Sequence, residues 1–333
     1  MAGRGSRLRP HSLTVPKPLI PVAGVPIVEQ LVREIARVVD TPVEEIAFVL
    51  GDPAFFDTSV EEYLVGVAES LGARGTIYRQ LEPLGTGHAI MCAEASLDGP
   101  AVVAYADTLI RADLELDPQA DAVIWVKQVE APEAYGVVQL NSAGDIVELV
   151  EKPQEFVSDQ AVIGIYYFKD IGALKEALKS VIAQQLQPGE EYQINDGIKA
   201  LMAQGKRFVP GSVQEWLDCG NPQITLDTNS RMLEILTEEG QELVASDVQI
   251  ENSQIVPPCY IGPGVQLKNA TVGPYVSIGA GTILEDVQVQ KSLIQKHSHI
   301  QHAQLENAMI GNHVTYNGDR PQLISVGDYT TMA

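Results

Sequence analysis

What this chain has little of narrows the possibilities first. It carries three cysteines, Cys92, Cys219 and Cys259, far apart and without metal-ligand spacing. That excludes a disulfide framework and structural zinc, and it fits a reducing cytoplasm. No apolar run approaches the ~20 residues that a membrane helix needs, and no basic-then-apolar leader is present. Positive charge is scarce as well: 22 Lys and Arg stand against 44 Asp and Glu, a formal net charge of −22. Most of such a surface repels a polyanion, which argues against general nucleic-acid binding. The acid excess is compatible with a salt-adapted source. No convincing Ser/His/Asp or Cys/His arrangement for nucleophilic catalysis is found either. What remains is a chain of 333 residues, 45% apolar, long enough for two domains with sizeable cores.

The start of the chain departs from this acid excess. The first 28 residues hold Arg4, Arg7, Arg9 and Lys17 and no acid; the first carboxylate is Glu29. Gly3 and Gly5 beside basic side chains suit a loop whose backbone N–H groups close on a polyphosphate. Glycine is needed there because the backbone must turn sharply and approach the ligand closely. The bland alternative is a basic arm that holds nothing.

Along the chain, the spacing of Ile27, Leu31, Ile35 and Val38 predicts a helix over 26–39. Strands are expected at 45–50, 75–79 and 101–106, the last ending at Asp107, with helices around 60–71 and 88–95 between them. This alternation is typical of parallel sheets, so a doubly wound, mostly parallel α/β domain is expected. From Asp121 the pattern turns strand-rich (121–129, 135–140, 145–150, 162–168). Helices are expected at 171–185 and 195–204, joined by the polar Gly189-Glu190-Glu191-Tyr192-Gln193. Last strands are expected at 207–210 and 215–217, and a helix over 222–243. From Ile255 the texture changes: aliphatics fall six apart at Ile255, Ile261 and Leu267, then at Val272, Ile278 and Leu284 after a one-residue slip. Ile294 and Ile300 repeat the step, and Gly follows Ile261, Val272, Ile278 and Ile310. A six-residue period of this kind is the signature of a hexapeptide-repeat parallel β-helix. The expected domains are 1–225, 226–250 as a linking helix and connector, and 251–333 as the β-helix. An open β-helix end must be covered, so a homo-oligomer through this part is expected.

Seven segments in order carry a resemblance: GRGSRLRPHSLTVPKP (3–18), PLGTGHA (83–89), YAD (105–107), YGVV (135–138), EKP (151–153), EYQIND (191–196) and WLDCGN (216–221). Together they resemble the sugar-1-phosphate nucleotidyltransferases, most of all glucose-1-phosphate thymidylyltransferases with a left-handed β-helical tail. The resemblance implies a Rossmann-like catalytic domain that joins a nucleoside monophosphate from dTTP or UTP to a hexose 1-phosphate, releasing pyrophosphate. Such a reaction brings two polyanions together, so alignment and charge neutralisation are its main needs. A phosphate oxygen is already an adequate nucleophile, which accounts for the missing general base.

Carried over residue by residue, the resemblance gives Arg7 a bidentate grip on the leaving pyrophosphate and Lys17 the transferring phosphates. Asp107 and Asp218, each ending an apolar strand, become the Mg²⁺ ligands, since Mg²⁺ takes one or two carboxylates plus phosphate oxygens. Gly3, Gly5, Gln80, Gly85 and Thr86 fall to the nucleotide, with the Gln80 amide offering donor and acceptor to a pyrimidine edge. Tyr135, Gly136, Glu151, Lys152 and Glu191 fall to the sugar phosphate. His88 is expected to pack or hydrogen-bond locally. The Leu-Gly-Thr-Gly-His run also resembles N-acetylglucosamine-1-phosphate uridylyltransferases. UTP with glucose 1-phosphate, and a mannose-1-phosphate guanylyltransferase, therefore stay open. So do an acyltransferase housed in the β-helix and a non-catalytic regulator that binds sugar nucleotides. No candidate residue lies beyond Asp218, so deleting everything after about Val244 is expected to reduce oligomeric size and thermal stability while leaving a measurable rate. One element is missing: in this family the phosphate loop follows a first β-strand, and Met1-Ala2 leaves no room for one. An upstream start is expected, or else a gap in the sheet.

Overall fold

The computed structural model describes residues 1–3, 5–39, 41–112, 116–184, 190–318 and 324–332. Arg4, Gln185 and Gly189 lie outside the described residues. The chain divides into two compact units, one of residues 1–3 and 31–216, the other of residues 4–30 and 217–333.

The first unit is built on a six-stranded mixed sheet in the spatial order Ala101–Ala104, Gln160–Phe168, Ala122–Gln128, Phe208–Ser212, Ile146–Glu151, Gly136–Leu140. Phe208–Ser212 runs parallel to Ala122–Gln128, while Gln160–Phe168 is antiparallel to both of its central neighbours. A separate parallel pair joins Glu45–Leu50 to Arg74–Arg79. Ala101–Ala104 thus stands at the edge of the larger sheet, and among the described residues Glu45–Leu50 pairs only with Arg74–Arg79. All four residues of Ala101–Ala104 remain half-buried although they are apolar.

The helices start where short polar side chains can cap them. Asp57 accepts from the Val60 N–H at 3.1 Å to open α1 (Thr58–Ser70), and Asp170 accepts from Gly172 N–H at 2.9 Å to open α2 (Ile171–Ile182). α3 (Ile194–Ala203) begins with a capping box between Gln193 and Asp196. Its apolar face joins Leu174, Leu178, Phe168 and Phe208 in one core with the sheet. The expected Ala101–Ala106 strand stops at Ala104, and Thr108–Arg111 forms a further strand that the sequence pattern did not announce.

In the second unit, each turn of the β-helix lies in parallel on the next. Gln249 stands beside Gln266, Gln266 beside Ile283, Ile283 beside His299, His299 beside Thr315, and Thr315 beside Thr331. The slip in the six-residue period is the shape of one turn: Ile255, Ile261 and Leu267 stack on Val272, Ile278 and Leu284. Two steps of six and one of five close each early turn. Ile261, Val272, Ile278, Leu284 and Ile300 are fully enclosed, each worth roughly 1.5–3 kcal/mol of burial. α4 (Pro222–Glu238), capped by Asn221, packs on the strands Val276–Ile278 and Ser292–Ile294. Asn229 at its middle is wholly buried, and its Oδ1 accepts from both Ala23 N–H (2.9 Å) and Ser277 Oγ (2.7 Å). The helix is thereby pinned to the N-terminal segment on one side and to the β-helix on the other.

Candidate active site

The N-terminal loop folds back on itself. Gly5 takes a left-handed conformation at φ 58°, opening the 3₁₀ turn Ser6–Leu8, whose Leu8 is fully buried as an anchor. Ser12 Oγ donates to the Gly5 carbonyl at 2.6 Å. A Cβ at Gly5 would stand 2.7 Å from the Cβ of Lys17, so only glycine lets the lysine stem lie on this turn. Lys17, between Pro16 and Pro18, begins a third 3₁₀ turn after those at Ser6–Leu8 and His11–Leu13, and is 6% exposed. The two prolines fix its backbone and aim the side chain. Arg7 and Gly3 are exposed, and among the described residues nothing stands within 4 Å of where a Gly3 Cβ would be. Gly5 and Lys17 are therefore brought together, while Gly3 takes no part in that cluster.

In the first unit a second corner forms around Gln80, which is 8% exposed at the end of Arg74–Arg79. Its Nε2 donates to the Gly85 carbonyl at 2.9 Å and lies 3.1 Å from His88 Nδ1. Both N–H donors are spent inside the loop. His88 bonds locally, as expected. Gly85 has φ 106°, and a Cβ there would stand 2.4 Å from the Tyr192 carbonyl oxygen. The 84–87 loop is stitched to that segment by Tyr192 N–H to the Leu84 carbonyl (2.9 Å) and Gly87 N–H to the Tyr192 carbonyl (2.7 Å). Thr86 Oγ1 donates to Gln193 Oε1 at 2.9 Å and accepts from Ile194 N–H at 3.0 Å. Its hydroxyl thus joins two helix starts. Glu191 accepts from Gln193 Nε2 at 2.9 Å.

Across the sheet, Gly136 pairs with Glu151, and a Cβ on Gly136 would meet Glu151 Oε2 at 2.8 Å. Lys152 follows with φ 44°, a conformation that costs a non-glycine residue about 1 kcal/mol or more. Its N–H donates to the Tyr135 carbonyl at 3.0 Å, and the Tyr135 ring meets Trp216 edge-on at 5.2 Å. Asp107 sits in the turn after Ala101–Ala104. Beside it, Tyr105 hydrogen-bonds Thr86 and Tyr166, and burial pushes its phenol up to about 12, so it stays protonated. Asp218 ends Glu215–Asp218; its backbone carbonyl accepts from Thr228 Oγ1 at 2.5 Å, and Gly220 leaves room for its carboxylate. Among the described residues no group of three or more His, Cys, Asp or Glu is placed to hold a metal. Single aspartates fit a Mg²⁺ that draws its remaining ligands from phosphate and water.

A family model described as nucleotidyl transferase matches residues 1–235. The chain belongs to that family. A glucose-1-phosphate thymidylyltransferase of Streptomyces griseus is 28% identical over 94% of this chain and 90% of its own. A low-salt glycan biosynthesis nucleotidyltransferase of Haloferax volcanii is 31% identical, over 75% of this chain and 69% of its own. The bifunctional protein GlmU of Methanococcus maripaludis is 27% identical over 77% of this chain, which spans only 58% of that relative. Among solved structures, a UDP-glucose pyrophosphorylase complexed with UDP-glucose superposes with a TM-score of 0.57 at 25% identity, covering 70% of this chain and 96% of that one.

For a nucleotidyl transferase, three features escaped the sequence reading. The Tyr105–Tyr166 pair carries a hydroxyl chain from Thr86 into the sheet, with rings 5.8 Å apart. Gly164, at φ 78°, gives Tyr105 its space. The Trp216 indole N–H is buried without a hydrogen-bond partner among the described residues. Only Trp216 had a signal, its place before Leu217-Asp218.

Proposed function

We propose that this nucleotidyl transferase joins a pyrimidine nucleoside monophosphate to a hexose 1-phosphate, with dTTP or UTP and glucose 1-phosphate as substrates. The observation that carries the reading is the Gly5–Lys17 turn, a buried lysine held on a glycine inside a basic, acid-free stretch of an acidic chain. A sugar-phosphate oxygen forms a bond to the α-phosphorus, the bond from that phosphorus to the bridging oxygen breaks, and pyrophosphate leaves with the electron pair. Lys17 neutralises the transferring phosphates and Arg7 holds the leaving pyrophosphate. Asp107 and Asp218 would hold Mg²⁺, which supplies further charge neutralisation when bound. Gln80 has spent its donors, so its Oε1 accepts the N3–H of the base, and the Gly85 backbone N–H serves the neighbouring carbonyl. Gly136, Glu151 and Lys152 receive the hexose phosphate, with Tyr135 and Glu191 beside them. Gly3 and Thr86 complete the proposed nucleotide-binding set.

The end-to-end match to the thymidylyltransferase supports this assignment. No helix among the described residues is long and apolar enough to cross a membrane, and a cytoplasmic site is proposed from the reduced cysteines. Exposed Val244 and Ile250 at one end of the β-helix, and Tyr329 and Met332 at the other, favour a homo-oligomer. Pyrophosphate release measured across four triphosphates and several sugar 1-phosphates tests the assignment. The largest rate is expected with dTTP or UTP and glucose 1-phosphate. A largest rate with GTP and mannose 1-phosphate would reassign the substrates. Tight sugar-nucleotide binding with no pyrophosphate from any pair would make the protein a regulator.

A further inference from the structure

We infer that the last turn of the β-helix positions the loop bearing Arg7 and Lys17, with Ser325 and Asp328 as its positioning residues. Two hydrogen bonds join segments 314 residues apart: His11 Nε2 to Ser325 Oγ at 3.0 Å, and Thr14 Oγ1 to Asp328 Oδ2 at 2.7 Å. Between these two anchors lies Ser12, whose hydroxyl holds the Gly5 carbonyl on which Lys17 rests. The path from Ser325 to Lys17 is thus short and continuous: His11, Ser12, Gly5, Lys17. His11 is completely enclosed, so its contact is a packed one rather than a surface touch. Asp328 is itself fixed, accepting from Asn312 N–H at 2.6 Å on the preceding turn. Pro10 lies flush on Gly327, where an added Cβ would stand 3.1 Å from the Pro10 Cβ.

A loop that must meet a triphosphate gains from being held before the ligand arrives, because the cost of ordering it is then met by folding. The 325–328 turn supplies that hold. It does so from the part of the chain that contains none of the proposed binding residues.

This inference rests on the assignment of the loop to the triphosphate, and the test separates the two. The double variant Thr14→Val, Ser325→Ala removes both hydroxyl contacts and leaves the volumes nearly unchanged. Two readouts are taken on the full chain: hydrogen exchange of peptides covering 5–20, and KM for the triphosphate and for the sugar 1-phosphate separately. The expected result is faster exchange at Leu8, Leu13 and Ile20, whose N–H groups close the loop turns, with β-helix peptides over 261–310 unchanged. KM for the triphosphate should rise on the order of tenfold, the loss expected for one to two hydrogen bonds, while KM for the sugar 1-phosphate stays put. The conservative pair Thr14→Ser, Ser325→Thr should restore both readouts. Unchanged exchange overturns the clasp. Faster exchange with both KM values unmoved overturns the positioning role. Faster exchange with a rise in KM for the sugar 1-phosphate alone overturns the triphosphate assignment instead.

Discussion

A lysine stem folded onto a glycine has its position decided before any ligand arrives, and the same holds for the histidine six residues earlier. His11 is enclosed, with Nδ1 unpartnered among the described residues, and burial pulls its pKa down to about 4 against the opposing pull of the Asp328 carboxylate. The unfolded chain, with an ordinary histidine near 6.5, takes up a proton first as pH falls. Stability contributed by the neutral His11 is therefore full above about pH 6.5 and is lost as pH drops toward 4. The shift corresponds to roughly 3 kcal/mol at most. Thermal unfolding between pH 7.5 and 5 should show a falling midpoint in the wild type and a flatter profile in His11→Gln. Parallel profiles would mean that His11 opens to solvent freely.

At the scale of elements, the loop 84–87 is the place where one substitution should be most informative. Gly85→Ala must both adopt φ 106° and place a methyl 2.4 Å from the Tyr192 oxygen. Neither is possible without moving the 190–193 segment, so the base corner should open while the β-helix is untouched. A cost of about 2–3 kcal/mol in triphosphate binding is expected, read as a KM rise with near-normal far-UV CD; a wild-type KM would remove this loop from the site. The glycines themselves were legible, because a Leu-Gly-Thr-Gly run before a helical pattern has few other uses. Their partners were not. Tyr192 and Gln193 lie more than 100 residues away, and a pattern read locally has no means of pairing them. The same limit explains Thr108–Arg111, four residues directly after a turn and too short for a period to show. It also explains why residues 4–30 join the β-helix unit rather than the sheet that precedes it in the chain. By contrast, the 6-6-5 turn was legible almost to the residue, since a repeat whose units stack on one another writes its geometry into the spacing. At Gln80 burial commits both amide donors to Gly85 and His88, which no sequence pattern encodes.

At the scale of the whole molecule, charge sets two trends that should run in opposite directions. A formal net charge of −22 makes the folded chain repel itself. Its ion pairs, such as Arg207 with Asp117 and Asp145, are exposed enough to contribute little and to be screened in any case. Salt shortens the screening length from about 10 Å at 0.1 M to about 3 Å at 1 M, so it should relieve more repulsion than attraction. The thermal midpoint is expected to rise steeply up to about 1 M KCl and then level off, unlike the steady rise that an excluded cosolute produces. The basic N-terminal stretch is the exception to the acidic surface, and there the same screening weakens attraction for a triphosphate. KM for the triphosphate should therefore increase over the range in which stability grows. Both are read in one salt series, with sucrose at matched stabilisation as the control. A midpoint that falls with KCl would mean that the exposed ion pairs outweigh the excess acid. A triphosphate KM indifferent to salt would mean that the loop holds its ligand through enclosed contacts that bulk ions do not reach.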